Sequence, residues 1–137
     1  MLPLDSIARL LRDRGIRLAY LFGSRARGRE APSSDLDLAI LWPEPADERS
    51  LLSESALLAS ELRDLAGVPV DLVPLNFAGP LVSFEAVFHG LPLVWDDLDE
   101  RVRFELRVRQ RYEDFCDIQR FFVDALKERL ARNAAHP

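Results

Sequence analysis

The sequence feature that most constrains the fold is a pair of short apolar segments, residues 16–22 and 36–42, joined by a polar turn. Each segment is shorter than an average helix and carries only one charged side chain, so each is predicted to form a buried strand. The turn begins with Gly23 and Ser24, and Asp35 directly precedes the second segment. A buried strand needs packing partners on both faces of its sheet, which the rest of the chain must supply.

The remaining chain alternates between helical and strand-like patterns. Leucines at helical spacing predict amphipathic helices, and short apolar stretches flanked by Gly or Pro predict further strands. The predicted helices span 4–14, 47–66, 81–89 and 98–131, and the later predicted strands span 70–75 and 91–95. This order predicts an α/β (α+β) domain around one small sheet. We divide it into a core domain, residues 1–96, and a C-terminal helical extension, residues 97–137.

The last predicted helix is long for a domain of this size. As one continuous helix it would measure about 50 Å. A globule of 137 residues has a radius of gyration of about 14 Å. The helix must therefore bend around the core or project from it, and the sequence favours neither arrangement.

The composition limits which cellular compartment and which class of substrate are expected. The chain has a net charge of −5, 48% hydrophobic residues and a single cysteine, Cys116. One cysteine excludes an intramolecular disulfide and fits a reducing compartment, so a cytoplasmic location is expected. No signal-peptide pattern and no apolar run of membrane-spanning length is visible. The acidic balance disfavours a long nucleic-acid substrate, because phosphate neutralisation dominates the affinity of nucleic-acid binders.

Asp35 and Asp37 are the first candidates for chemistry. Residues two apart on a strand point to the same face, so these carboxylates would lie side by side. Adjacent like charges are unfavourable unless a cation lies between them, and a hard divalent ion, Mg²⁺ or Mn²⁺, suits oxygen ligands. Asp71, in the third predicted strand, would join them if the two strands are neighbours. Three carboxylates around two metal ions form an arrangement that phosphoryl transfer uses.

Gly23 and Ser24 predict a phosphate-binding corner beside these carboxylates. They lie between a buried strand and a predicted short helical turn. Glycine allows the backbone to approach a ligand closely, and exposed amides at a helix start bind phosphate. The Ser24 hydroxyl would add a further contact. Arg25 and Arg27 cannot face the same way on a helix, so one is predicted to hold a phosphate and the other to pair on the surface.

Together these residues resemble the minimal nucleotidyltransferases (MNT) of the DNA polymerase β superfamily. Two linked motifs carry the resemblance: Gly23-Ser24-Arg25-Ala26-Arg27-Gly28 and Ser34-Asp35-Leu36-Asp37. Within the superfamily they are most similar to the MNT antitoxins that are paired with HEPN ribonuclease toxins. The resemblance implies that Asp35, Asp37 and Asp71 bind the catalytic metal ions, and that Gly23 and Ser24 hold the nucleotide phosphates. It is specific over residues 16–42, weaker over 70–76 and only general in the C-terminal helix.

The resemblance also implies a reaction and a partner. MNT antitoxins transfer AMP from Mg-ATP to a tyrosine hydroxyl of the cognate HEPN toxin, which neutralises the toxin. ATP, two divalent ions and a toxin are therefore expected, without a membrane or a direct nucleic-acid substrate. Two alternatives stay open. A small-molecule nucleotidyltransferase of the aminoglycoside-modifying type has similar motifs, usually on longer chains with an acceptor-binding lobe, and an antitoxin can also act by binding alone, without catalysis.

Overall fold

A computed structural model describes residues 2–26, 28, 34–44 and 47–134. Within these residues the chain forms four helices and four strands: α1 (Leu4–Asp13), β1 (Leu18–Phe22), β2 (Leu36–Leu41), α2 (Glu48–Ala66), β3 (Val70–Pro74), α3 (Pro80–Phe88), β4 (Leu91–Trp95) and α4 (Leu98–Ala134). The predicted order of elements is confirmed, and the ends differ from the predicted ones by at most three residues.

A short turn follows Gly23, where the sequence predicts a brief helical turn that Gly28 ends. Residues 24–26 belong to this turn, and the Gly28 amide donates a hydrogen bond to the Arg25 carbonyl at 3.5 Å. Gly28 has a φ of 68°, a left-handed conformation that cannot continue a helix. The predicted phosphate-binding corner therefore lies in the connection between β1 and β2.

The four strands form one mixed sheet in the order β3-β2-β1-β4. β1 is antiparallel to β2 and to β4, whereas β2 and β3 are parallel. A parallel pair needs a long crossover, and α2 provides it between β2 and β3. The predicted α/β fold is confirmed.

The alternation of side chains along β2 separates two packed layers. Leu36, Leu38 and Ile40 are fully buried in a cluster that includes residues of α1 and α2. Ala39 points to the other face, where it packs in a cluster with Phe104 and Val108 of α4. Both faces of the central strands are covered, which explains why their sequences are almost continuously apolar.

Capping residues mark the start and the end of the crossover helix α2. The Asp47 carboxylate accepts a hydrogen bond from the Ser50 amide at 3.0 Å, which is an N-cap. Gly67 ends the helix in a left-handed conformation with a φ of 75°. The chain then enters β3 three residues later, so these two caps fix where β3 begins beside β2.

The long helix α4 projects from the core. It contains 37 residues, which corresponds to about 55 Å. Its buried residues are Phe104 and Val108, both in its first third. Every residue from 117 to 134 is exposed. No helix in the described part of the chain combines the length and apolar character that crossing a membrane requires.

Candidate active site

The parallel pairing of β2 and β3 places Asp37 directly beside Asp71. Paired residues on neighbouring strands point to the same face, and the strands lie about 4.8 Å apart. Asp37 points away from Leu36 and Leu38, which are fully buried on the opposite face. Asp37 is half-buried and Asp71 is exposed. The strand adjacency that the sequence reasoning required of Asp71 is therefore present.

Asp35 lies one residue before β2, and its side chain is exposed. The pKa of Asp37 is raised above its usual value, first by burial and then by the negative charges of Asp71 and Asp35. All three causes disfavour the ionised carboxylate of Asp37. A cation bound between these groups would reverse the two electrostatic causes, because its charge is opposite to theirs.

Gly23 lies against the Asp37 carboxylate. It follows β1 directly with a φ of 75°, a left-handed conformation that favours glycine. A Cβ atom at this position would overlap Oδ2 of Asp37 and lie 3.0 Å from its Cγ. The last residue of β1, Phe22, pairs with Asp37 across the antiparallel ladder. This pairing brings Gly23, the next residue, beside the Asp37 carboxylate. The loop backbone at Gly23 therefore lies beside the Asp37 carboxylate.

The remaining loop residues have different surroundings. Ser24 is half-buried next to Gly23. The Arg25 guanidinium donates two hydrogen bonds to the Ser34 carbonyl, from Nε at 3.0 Å and from Nη2 at 2.6 Å. Arg25 therefore ties the start of the loop to the residue that precedes Asp35. Arg27, the other predicted phosphate ligand, lies outside the described residues.

This contact of Arg25 was not foreseen from the sequence, which assigned Arg25 or Arg27 to a phosphate. The usable signal is positional, since Arg25 and Ser34 lie at opposite ends of one loop. An arginine fork at one end of a loop can bind a backbone carbonyl at the other end.

The donor set at this site fits divalent metal ions. Carboxylate oxygens on Asp35, Asp37 and Asp71 are the ligands that Mg²⁺ and Mn²⁺ prefer. Within the described residues, however, no three His, Cys, Asp or Glu side chains are disposed to hold a metal ion by themselves. Mg²⁺ is commonly held by one or two carboxylates together with water and substrate phosphates. The absence of a side chain at Gly23 allows the Asp37 carboxylate to lie against the loop backbone.

The site is open rather than enclosed. Asp35 and Asp71 are both exposed, and α4 packs over the other end of the same sheet face, near Leu18. A separate cleft of about 290 Å³ lies at that far end, between Trp42 and Phe104. Its lining contains none of Asp35, Asp37 and Asp71.

Comparison with known proteins identifies a matching family and a similar curated protein. Residues 5–99 match the family described as Polymerase beta, Nucleotidyltransferase. Protein adenylyltransferase MntA of Shewanella oneidensis is 28% identical over 132 residues, which is 95% of this chain and 91% of that protein. The match therefore extends through most of both chains.

Solved structures of toxin-antitoxin complexes are also similar to this chain. A crystal structure of a toxin-antitoxin with AMP-PNP superposes with a TM-score of 0.77 at 27% identity, covering 92% of this chain and 99% of the other. A structure of a tri-AMPylated Shewanella oneidensis HEPN toxin in complex with MNT antitoxin superposes with a TM-score of 0.70 at 25% identity, covering 90% and 95%.

Proposed function

The chain belongs to the polymerase β nucleotidyltransferase family, and from this membership we propose that it is an antitoxin that transfers AMP from ATP to a cognate HEPN toxin. The acceptor in this proposal is a tyrosine hydroxyl of the toxin. The relatives described above, an adenylyltransferase and an antitoxin bound to an AMPylated toxin, support the reaction class. A reaction that consumes ATP is also consistent with the cytoplasmic location expected from composition.

In the proposed reaction the tyrosine oxygen attacks the α-phosphorus of ATP. A new bond forms between the tyrosine oxygen and the α-phosphorus, the bond from the α-phosphorus to the oxygen shared with the β-phosphate breaks, pyrophosphate leaves with that oxygen, and the tyrosine proton passes to solvent water. Gly23 contributes a backbone without a side chain, so that the phosphate tail can approach closely. Ser24 contributes a hydroxyl donor beside it, and Arg25 holds the loop in place through Ser34.

Asp35, Asp37 and Asp71 would hold the divalent metal ions, which we propose to be two Mg²⁺. When bound, such ions neutralise charge on the phosphates and assist both the attacking and the leaving oxygen. The three carboxylates would determine where the metal ions bind. Asp37 is central because it lies next to Asp71 on one side and against Gly23 on the other.

The proposal depends on the position of Asp37. Its carboxylate lies against Gly23, and the residue pairs in register with Asp71. A protein that neutralised its partner by binding alone would have no physical need for an unfavourable group of like charges at an open loop. Packing alone would be better served by neutral side chains, because each added charge raises the cost of ionising Asp37.

The test is to incubate the protein with its cognate toxin and Mg-ATP, and to weigh the intact toxin by mass spectrometry. The proposal predicts a mass increase of one or more AMP groups, which disappears in Asp37→Asn. The same variant should still bind the toxin. A toxin of unchanged mass in a stable complex would contradict catalysis and favour neutralisation by binding. An adduct on an aminoglycoside instead would contradict the toxin as acceptor.

A further inference from the structure

The distal half of α4, residues 117–134, carries large apolar side chains that are exposed. We call this segment the arm. Its exposed apolar residues are Ile118, Phe121, Phe122, Val123, Leu126 and Leu130, whose exposed fractions range from 49% to 69%. An exposed helix with no function beyond solubility would have polar residues on all sides. The arm therefore presents a surface that favours a partner.

The apolar face of the arm continues the face by which α4 packs on its own domain. Phe122 lies 18 residues after Phe104, and Leu126 lies 18 residues after Val108. Eighteen residues are five whole turns of an α-helix, so each pair points in the same direction. Phe104 and Val108 are buried against the sheet, whereas Phe122 and Leu126 are exposed. One helix face is thus covered by the domain along its first part and left uncovered along the arm.

The size of this uncovered face exceeds that of scattered surface residues. Phe121 and Phe122 are 69% and 64% exposed, and a buried aromatic side chain covers about 150–250 Å². With Ile118, Leu126 and Leu130 added, the patch has an apolar area on the order of 500 Å². Contiguous patches of this size on a soluble domain mark interaction sites.

The width of the patch indicates the shape of the partner. Successive helix residues differ by about 100° around the axis. Phe121 and Val123 therefore flank Phe122 on both sides, and the large apolar side chains are spread over about 200° of the circumference, with Gln119 and Arg129 among them. A second helix pairing along one seam covers a narrower stripe. A groove between helices contacts an inserted helix from several sides, so it matches this width better than a second copy of the arm does.

We propose that the arm docks in an apolar groove of the toxin whose tyrosine the active site modifies. The identity of this partner rests on the proposed function. The arm lies beyond the part of α4 that packs on the sheet, and none of its residues belongs to the aspartate site, so it would add affinity for the toxin at a second surface. Binding energy gained at a remote surface can hold an acceptor hydroxyl near a reacting phosphate.

The test uses two single variants of the full-length protein that differ only in the face they change. Phe122→Asp places a carboxylate in the apolar face. Ala131→Asp places the same group nine residues later, two and a half turns away, on the opposite face. Both positions are exposed, so both variants should fold and bind Mg-ATP as the wild type does. Toxin affinity is measured by titration calorimetry, with the oligomeric state of the free protein measured by light scattering.

We expect Phe122→Asp to weaken toxin binding by about thirtyfold or more, as loss of a central aromatic anchor does, and Ala131→Asp to change it by less than about threefold. Equal toxin affinity in all three proteins would overturn the proposal. So would a dimer of the free protein that Phe122→Asp dissociates without a change in toxin affinity. Loss of binding in Phe122→Asp when the wild type binds the toxin but transfers no AMP would uphold the arm and contradict the proposed function.

Discussion

Asp37 has the least favourable electrostatic position among the three aspartates. It is half-buried, pairs with Asp71, and lies two residues after Asp35, which directly precedes β2. Its pKa is raised by burial first and by the two neighbouring charges second. In the absence of a cation, the folded protein therefore holds a proton on Asp37 more tightly than the unfolded chain does, and ionising it costs folding free energy.

This cost predicts a pH dependence of stability. Between the ordinary pKa of an aspartate, 3.8, and its raised value in the fold, the folded state binds more protons than the unfolded state, so stability falls as pH rises. Without divalent ions, Asp37→Asn should therefore be more stable than wild type at neutral pH, and the difference should vanish below about pH 4. Thermal unfolding in chelator across this pH range checks it. A wild type that gains stability relative to Asp37→Asn as pH rises would contradict the assigned shift.

Gly23 provides a second test at single-residue scale. An alanine there must adopt a left-handed φ of 75° and would overlap the Asp37 carboxylate. We expect Gly23→Ala to lower stability by about 1–2 kcal/mol and AMP transfer by about a hundredfold, because Asp37 must move. Gly67→Ala is the matched control, since Gly67 has the same φ with no atom within 4 Å of a Cβ.

Chemical denaturation and transfer rates distinguish the two glycine variants. Both should lose similar stability, whereas only Gly23→Ala should lose transfer. Equal transfer by the two variants would show that closeness to Asp37 is unimportant.

Residue spacing predicted part of this site. The period of a strand placed Asp35 and Asp37 on one side from sequence alone. The register that pairs Asp37 with Asp71 depends on how β3 docks beside β2, which is a tertiary property. The contact between Gly23 and Asp37 depends on loop geometry, which residue pattern does not encode.

At the scale of elements, the loop between β1 and β2 connects the two halves of the site. Arg25 holds its start against Ser34, one residue before Asp35. Sequence patterns located the helices and strands within three residues, because apolar periodicity and capping residues such as Asp47 and Gly67 are local signals. They did not reveal the shape of this loop, which depends on a contact between the Arg25 side chain and the Ser34 backbone, nine residues apart.

The Arg25 contact predicts the effect of a conservative change. Lysine keeps the positive charge but lacks the planar fork that reaches the Ser34 carbonyl with two donors. We expect Arg25→Lys to lower stability by about 1 kcal/mol and to reduce kcat/KM for ATP by about tenfold. Steady-state transfer at varied ATP checks this, with Arg49→Lys on the exposed start of α2 as the control. Unchanged kcat/KM in Arg25→Lys would contradict a role for this contact in positioning the loop.

At the scale of the whole molecule, the protein is a small catalytic domain with a projecting helix. The sequence left open whether the last helix bends or projects, because burial of Phe104 and Val108 satisfies either arrangement. The structure resolves this in favour of projection, and the apolar face of the arm then needs a partner. In the proposed arrangement, catalysis and docking lie on separate parts of one chain, so each can be altered by mutation without the other.

The central claim is that divalent ions join the nucleotide phosphates to Asp37 and Asp71. The most direct measurement is the affinity for AMP-PNP with and without Mg²⁺, in wild type and in Asp71→Asn. The account predicts that Mg²⁺ strengthens binding to the wild type by about tenfold or more, and that Asp71→Asn loses most of this gain while its metal-free affinity is unchanged. No gain in the wild type, or an equal gain in Asp71→Asn, would contradict it.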